Sequence, residues 1–475
     1  MAVSSAPQMK SGRNAIVIGG SMAGMLAARV LSDHFDQVTL IDRDHFPAGP
    51  EVRKGVPQAN HLHVLLVKGR QLLDQLFPGL DADLLAGGVM PLEWGHDSIS
   101  LTTAGWTARF HSGLVSYAVG RPYLDWVVRR RVAALPNVRL VEGSDVTGLI
   151  ASADVTRITG VRVRARRGAD SESVMDADLV VDASGRSSRT PEWLKALGYE
   201  APQETVINSF VGYASRMFEP PEHFVGDWNM MFIFPIPPVL PRGGSITQLE
   251  NGQWIVTIAG AARDYPPTDE DGFMAFARSL ATPLLYETIK DAKPSSPIHG
   301  YRQMANQWRH LERLVRWPDS LVVIGDAACA FNPIYGQGMT VAALEVLLLD
   351  ACLREQRQRH GDDLAGMAQP FQRQLARSNA TPWLLATSED MRYPTTVGSQ
   401  PGLMTRLMHR YMDRVIEILP EHIEAQRTFL KVLHLIEPPG ALFRPYVLGP
   451  VVRNAFRRPR PKELVVRTPY PLRTS

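Results

Sequence analysis

Short apolar runs that end in a glycine or acidic turn, followed by apolar positions at helical spacing, recur along the first three quarters of the chain. In residues 15–24 (AIVIGGSMAG) this pattern predicts a buried strand, a tight turn and a helix reaching Leu31, with a second strand over 38–41 that stops at Asp42. Residues 321–349 (LVVIGDAACAFNPIYGQGMTVAALEVLLL) repeat it: four apolar residues, a turn at Gly325-Asp326, a Pro/Gly loop, then an apolar pattern too long for a strand. Between the two, residues 138–141, 145–150, 158–166 and 179–182 read as strands, and VRVRARR alternates as a strand with one wet face. They predict a three-stranded excursion from the core that returns at Asp182.

Beyond Arg189 the spacing changes. Residues 206–213, 230–235, 245–250 and 253–259 are alternating or apolar runs between Pro- and Gly-rich turns, which predict an antiparallel sheet. Helices follow over 270–280 and 283–289, and 298–304 is expected to lead back to the first domain. After Gly361, helical spacing over 371–386, 405–419 and 423–435 predicts a cap, with an extended basic tail at 457–462. Residues 53–66 form a rigid loop around Gly55 and Pro57, and the helix after it is stopped at Pro78-Gly79.

The 475 residues exceed one compact core, so more than one domain is expected. Lys+Arg minus Asp+Glu is 51 − 48 = +3, which gives no electrostatic reason to expect nucleic acid or an anionic membrane as partner. No uncharged apolar run reaches the roughly 18 residues of a membrane span. Cys329 and Cys352 both lie in or beside apolar runs, as buried thiols of a reducing compartment would, and the expected location is the cytoplasm. Residues 1–14 have no signal-peptide core and read as a disordered lead-in.

The chemistry starts at the glycines. Gly19-x-Ser21-x-x-Gly24 is a dinucleotide fingerprint with serine in the middle place, and Asp42 stands 42 − 24 = 18 residues after its last glycine, in position to hold ribose hydroxyls. Arg43 beside it is suited either to a 2′-phosphate or to stacking on adenine. NAD and FAD enzymes share this fingerprint, and the distant Asp326 element decides for FAD. Asp326 at a strand end accepts hydrogen bonds from sugar hydroxyls, while Gly336 and Gly338 let backbone N–H groups approach a ligand at a helix start. A ribityl chain and pyrophosphate need such a second contact segment. His61-x-His63 has no third ligand cluster near it, so no metal is expected.

With these motifs the sequence resembles the group A FAD-dependent monooxygenases, which have the para-hydroxybenzoate hydroxylase type of fold. The resemblance rests on the glycine turn with Asp42, on Arg121 in GRPYLDWVVRRRV, on DLVVDASGRSSR with Asp182 and Gly185, and on Gly325-Asp326…Pro333…Gly336-x-Gly338-Met339. It implies an α/β fold: a Rossmann-like FAD-binding domain (1–189 and 298–360), an antiparallel β-sheet substrate domain (190–297) and a C-terminal helical cap (361–475). It also implies that Arg53, Arg121 and Val146 contact the cofactor along with Pro333, Gly336, Gly338 and Met339. The 53–66 loop would approach the isoalloxazine, making Gln58, His61 and His63 candidates to line it. Phe232, Phe234 and Trp254, with Met231 and Ile236, supply either the roof of the substrate pocket or the sheet's own core.

An enzyme of this family reduces FAD with NAD(P)H or through a flavin reductase partner, captures O2 as a flavin hydroperoxide and transfers one oxygen atom. Hydroxylating a phenol benefits from a nearby base, whereas epoxidising an alkene requires only the electrophile and a shaped apolar pocket. No base stands out in the substrate strands, which tilts the reading toward an alkene. The loop Arg53-Lys54-Gly55-Val56-Pro57-Gln58…His61-x-His63 and the GDAACAFNPIYGQGM motif, with Cys329 where many relatives carry histidine, most resemble the epoxidases of polyether ionophore biosynthesis, the monensin and lasalocid type. That resemblance implies a long apolar polyene polyketide as substrate. The alternatives are an aromatic hydroxylase, an alkene reductase, a halogenase, whose Trp-x-Trp-x-Ile-Pro signature is missing, and a non-catalytic flavin-binding protein.

Overall fold

The computed structural model describes residues 12–166, 171–302 and 304–455. The basic run at 457–462 and most of the N-terminal lead-in lie outside the described residues, but Gly12–Asn14 already belong to the first strand.

That strand, Gly12–Ile18, is the centre of a five-stranded parallel sheet in the order 321–323, 179–182, 12–18, 35–41, 138–141. Its register pairs Ile18 with Ile41 on one side and with Asp182 on the other, and Asp182 in turn with Val323. Four strands therefore end at one level, and the turns that follow them gather along one edge, where ligands of open α/β sheets bind. Helices α1 (Met22–Leu31) and α2 (Val67–Leu76) lead to the short α3 (Leu80–Ala86) and then α4 (Arg121–Ala133). Strands 321–323 and 179–182 and the second half of 12–18 are buried on both faces, as near-continuous Val/Ile/Leu runs in a parallel sheet should be, while the edge strand 138–141 is only partly covered.

The excursion before Asp182 has three strands, but not the three expected. Ser144–Ala151, Ile158–Ala165 and Glu172–Asp176 pair with one another, while Val138–Val141 joins the parallel sheet as its edge. Glu172–Asp176 (ESVMD) is a polar, exposed edge strand and carries no alternating signal.

Past α5 (Thr190–Ala196), an eight-stranded sheet holds all but one of the expected strands. The exception is the predicted 206–213 run, which splits into Glu204–Ile207, in a separate three-stranded sheet with Asn306–Arg309 and Cys329–Ala330, and Gly212–Glu219. The large sheet is mixed, because Met230–Ile233 pairs in parallel with Ser98–Thr102. Ser98–Thr102 and Gly105–Trp106 come from inside the segment assigned to the first domain, so the substrate layer is built from two stretches of chain. His299–Tyr301 also stays in this sheet, against Gly212–Glu219, and the return to the cofactor domain comes only at the next strand.

One face of the large sheet packs on α6 (Glu270–Arg278) and α7 (Leu284–Ile289) through Ala214, Phe218, Met231, Trp254, Val256 and Ile258. Helices α8 (Gly338–His360) and α9 (Ala368–Asp390) lie on the parallel sheet; α10 (Leu403–Ile418), α11 (Ile423–Leu433) and α12 (Pro445–Ala455) form a separate cap with its own small core. Among the described residues no helix is long and apolar enough to cross a membrane.

Candidate active site

The glycine turn begins as soon as the first strand ends. Gly19 has φ +98°, and a Cβ there would lie 2.6 Å from the Ala183 carbonyl oxygen; a Cβ on Gly24 would lie 1.7 Å from the Gly19 oxygen. Both positions therefore admit only glycine. Ser21 is the N-cap of α1, in extended conformation. Its hydroxyl accepts no bond from its own helix but takes one from Arg121 Nη2 at 3.3 Å, across 100 residues of sequence. Arg121, the first residue of α4, is buried and also paired through Nε with Asp125 Oδ1 at 2.7 Å. The fold thus brings its guanidinium to the turn.

Asp42 accepts a 2.5 Å bond from Gly20 N and a 2.8 Å bond from Asp44 N. Arg53 closes on the same place, 3.3 Å from Asp42 Oδ2 and donating to the Gly20 carbonyl at 2.7 Å. The structure thus groups Arg53 with Asp42 and the glycine turn, the elements that would hold the nucleotide half, although its loop position suggested the isoalloxazine. A cleft lined by Gly20, Ser21, Phe46, Arg53 and Arg129 opens beside the turn. Arg43 is exposed, and Val146 is buried in the large core beside a β-bulge of its strand.

The second contact segment is assembled on the neighbouring strand ends. Asp326 retains 40% of its side-chain surface although protein surrounds it. The concavity raises its pKa by desolvation, against the pull of Arg186, Arg121 and Arg309. Arg186 is a residue that sequence reasoning did not single out. Its Nε lies 3.7 Å from Asp326 Oδ2, and its Nη atoms donate to the carbonyls of Ala305, at 2.5 Å, and Phe331. The only signal for it was its place in GRSSR, after the motif glycine. Asp182, by contrast, is fully buried and spends its carboxylate on Ser184, Ser188 and Thr190, so it shapes the turn without facing a ligand.

Pro333–Tyr335 makes a single helical turn, Gly336 is left-handed at φ +67°, and α8 starts at Gly338, where an added Cβ would touch nothing. Met339 is buried in the core. Gln337 Oε1, at the N-cap of α8, is buried with no partner among the described residues. A glycine turn shaped against side chains, a carboxylate at each of two strand ends, arginines between them and an unpartnered polar atom at a helix start fit FAD. Gly19–Ser21, Asp42 and Arg121 would hold the nucleotide half, and Asp326 with residues 336–338 the flavin half.

Beneath the Gly325 turn lies Glu345, fully buried on α8. Its Oε2 accepts from Gly325 N at 2.5 Å and its Oε1 from Asn379 Nδ2 at 2.7 Å. Burial raises its pKa from 4.5 to about 7 despite those donors. The folded state therefore keeps a proton that the unfolded chain releases, so this group's contribution is fully present below pH 4.5 and is lost as pH rises through about 7. Glu345→Gln should flatten the fall in stability across that window, by about 3 kcal/mol at most. Urea midpoints of both proteins on either side of the window would show it.

Above the cofactor edge sits the other face of the large sheet. His61 is buried, with Nδ1 2.9 Å from Ser215 Oγ, itself 2.7 Å from Thr257 Oγ1, and its ring meets Tyr213 edge-on at 4.4 Å. Burial takes both His61 and His63 down to about 3, the second helped by Arg121. Both imidazoles are neutral. Gln58, in the turn Pro57–Asn60, is half-buried and joins this group only through its backbone oxygen, which accepts from His61 N. Phe232 stacks on Trp94 and on the 40%-exposed Phe234; with Val64 and, from the cap, Leu430 and Ile436 it packs against the buried cluster that holds Trp94 and Met230. Trp254 is corrected: with Met231 and Ile236 it belongs to the helix-facing core, where it packs on Phe224 and Trp228, because strand alternation turns it away from Phe232.

Comparison with known proteins gives the same picture. A Mycobacterium tuberculosis protein, Rv3254, is 34% identical over 395 residues, 80% of each chain. Kynurenine 3-monooxygenase of Salinispora tropica is 28% identical, covering 71% of this chain and 72% of its own, and squalene epoxidase 2 of Arabidopsis thaliana is 23% identical over 73% of this chain and 55% of its own. The solved flavin-dependent brominase Bmp2 superposes with a TM-score of 0.63 at 15% identity, over 89% of this chain and 93% of its own. Residues 13–364 match the family model described as an FAD binding domain. The chain is therefore a member of the FAD-binding domain family.

Proposed function

We propose that the protein epoxidises carbon–carbon double bonds of a long, apolar substrate of the polyketide class, using FAD, O2 and electrons from NAD(P)H or a reductase partner. FAD supplies the oxygen-transferring chemistry. The protein's part is to orient the substrate on an apolar surface and to keep water from it. The observation that carries this reading is the apolar cluster on the face of the large sheet turned away from α6 and α7, with no charged side chain among its described residues. Trp94 and Met230 belong to it, Phe232, Val64, Leu430 and Ile436 pack against it, and the imidazoles of His61 and His63, just before Val64 in the chain, are held at pKa values of about 3. A base that weak takes up no proton from a phenol near neutral pH, whereas an alkene has no proton to give. The relative named as a squalene epoxidase favours the same chemistry.

One feature favours aromatic hydroxylation instead: the His61–Ser215–Thr257 hydrogen-bond chain beside Tyr213 and Tyr301, in a protein with a relative named kynurenine 3-monooxygenase. Purified protein with FAD and a reducing system, offered a long polyene acid and a simple phenol side by side, separates the two by product mass. The expected result is one added oxygen per oxidised double bond and an unchanged phenol, with Ser215→Ala retaining epoxidation to within about threefold. A hydroxylated phenol whose formation collapses in Ser215→Ala would establish the second reading. Added hydrogens would mark a reductase, and an added halogen a halogenase.

A further inference from the structure

We propose that α9, which begins beyond the region matched by the family, is a clamp on both flavin-contacting turns, so that FAD binding and the seating of this helix are one coupled event. The inference rests on the FAD assignment above. Three buried polar side chains of α9 point the same way. Gln372, Asn379 and Asp390 are spaced 379 − 372 = 7 and 390 − 379 = 11 residues apart, about two and three turns at 3.6 residues per turn, which places them on one face. None is more than 1% exposed.

Each reaches a different part of the cofactor edge. Gln372 Nε2 donates to the carbonyl of Val323, the last residue of the strand before the Asp326 turn, at 3.2 Å. Asn379 donates to Glu345, which holds Gly325 N, so the turn presenting Asp326 is fixed from below through one intermediary. Asp390 gathers the other segment: it accepts from Tyr335 Oη at 2.7 Å, from Asn306 Nδ2 at 2.6 Å and from Asn332 Nδ2 at 3.2 Å. Asn332 and Tyr335 flank the turn that leads into Gly336 and the start of α8.

Packing alone does not call for this arrangement. Burying an amide or a carboxylate costs free energy that an apolar residue of the same size would not, and these groups are incompletely satisfied, since Gln372 Oε1 and Asn379 Oδ1 have no partner among the described residues. What polar side chains provide is directional hold on backbone that must keep one shape, here the shape that points N–H groups and Asp326 at a ligand. Gln372, Asn379 and Asp390 are thus positioning residues. A ligand that fixes the two turns fixes their partners on α9, and by linkage the helix contributes to the affinity for that ligand.

Hydrogen–deuterium exchange of the full chain with and without FAD, in the wild type and in Asp390→Asn, tests the clamp. Asn at 390 keeps the shape but turns an amide N–H2 toward the Asn306 and Asn332 donors. FAD should slow exchange in the C-terminal half of α9 about tenfold or more in the wild type. The variant should lose that protection and bind FAD about tenfold more weakly. Should Asp390→Asn not fold, Tyr335→Phe removes one of the three bonds while keeping the ring, and a reduced FAD-dependent protection of α9 is expected there. Wild-type protein that binds FAD while α9 exchanges at an unchanged rate would overturn the clamp, as would full protection in either variant. A wild type that binds no FAD would overturn the cofactor assignment on which the clamp stands.

Discussion

Asp326→Ala is expected to purify without bound flavin. Asp326 lies in the turn after its strand, keeps 40% of its side-chain surface and is flanked by Arg186, as a carboxylate offered to a ligand would be. A carboxylate that accepts hydrogen bonds from sugar hydroxyls contributes roughly 1.5–3 kcal/mol per charged bond, so losing it should weaken FAD binding about 10- to 150-fold. The fold should survive the change. Arg186 keeps its bonds to the Ala305 and Phe331 carbonyls, Arg309 keeps its bonds to Ala327 O and Arg186 O, and Glu345 still holds Gly325 N. The flavin absorbance of purified protein, together with an FAD titration of the apoprotein, reads the effect. A variant that retains one yellow cofactor per chain with unchanged affinity would remove Asp326 from the site.

Gly24→Ala should be more damaging still. Its Cβ would sit 1.7 Å from the backbone oxygen of Gly19, and neither atom belongs to a flexible side chain that can move aside. The turn would have to open, displacing Gly20 N from Asp42 and Ser21 from Arg121. A loss above about 4 kcal/mol, seen as insoluble or flavin-free protein, is expected. Gly338→Ala is the informative contrast. A methyl there meets no atom of the chain within 4 Å, and at a helix start alanine stabilises by up to about 1 kcal/mol. If Gly338 exists to let the backbone approach FAD, this variant melts no lower than the parent yet binds FAD more weakly. Equal FAD affinity in parent and variant would show that no ligand approaches there.

The cofactor edge was legible because each piece carries a local signal. Buried parallel strands are short β-branched runs, and the turns after them announce themselves by glycine and acid at fixed spacing, as with Gly19, Gly24, Asp42 and Asp326. Where side chains face is harder to read. Trp254 and Phe232 have equal claims as apolar strand residues, and only the pairing of the sheet with α6 and α7 puts one in the helix-facing core and the other under the cap. Ser98–Thr102 joins a strand more than a hundred residues later, in parallel, a partner that no short-range pattern identifies. Gln372, Asn379 and Asp390 carry no local signal: a polar position in an amphipathic helix is ordinarily solvent-facing, and only the tertiary contacts turn these three toward the strand end and loops beneath α9. Arg186 and Glu345 act on turns brought together from distant parts of the chain, so their roles appear only with the topology.

The most direct measurement follows isotopically heavy O2 into product. Protein reconstituted with FAD, reduced in the absence of air and then mixed with labelled O2 and a long polyene acid should give epoxide carrying one labelled oxygen atom per oxidised bond. Omitting FAD should abolish the product, and Asp326→Ala should require about 10- to 150-fold more FAD to restore it. A reduced flavoprotein that consumes labelled O2 while the label appears only in hydrogen peroxide or water, with the polyene returned unlabelled and a phenol offered in its place returned unlabelled too, would contradict the monooxygenase account.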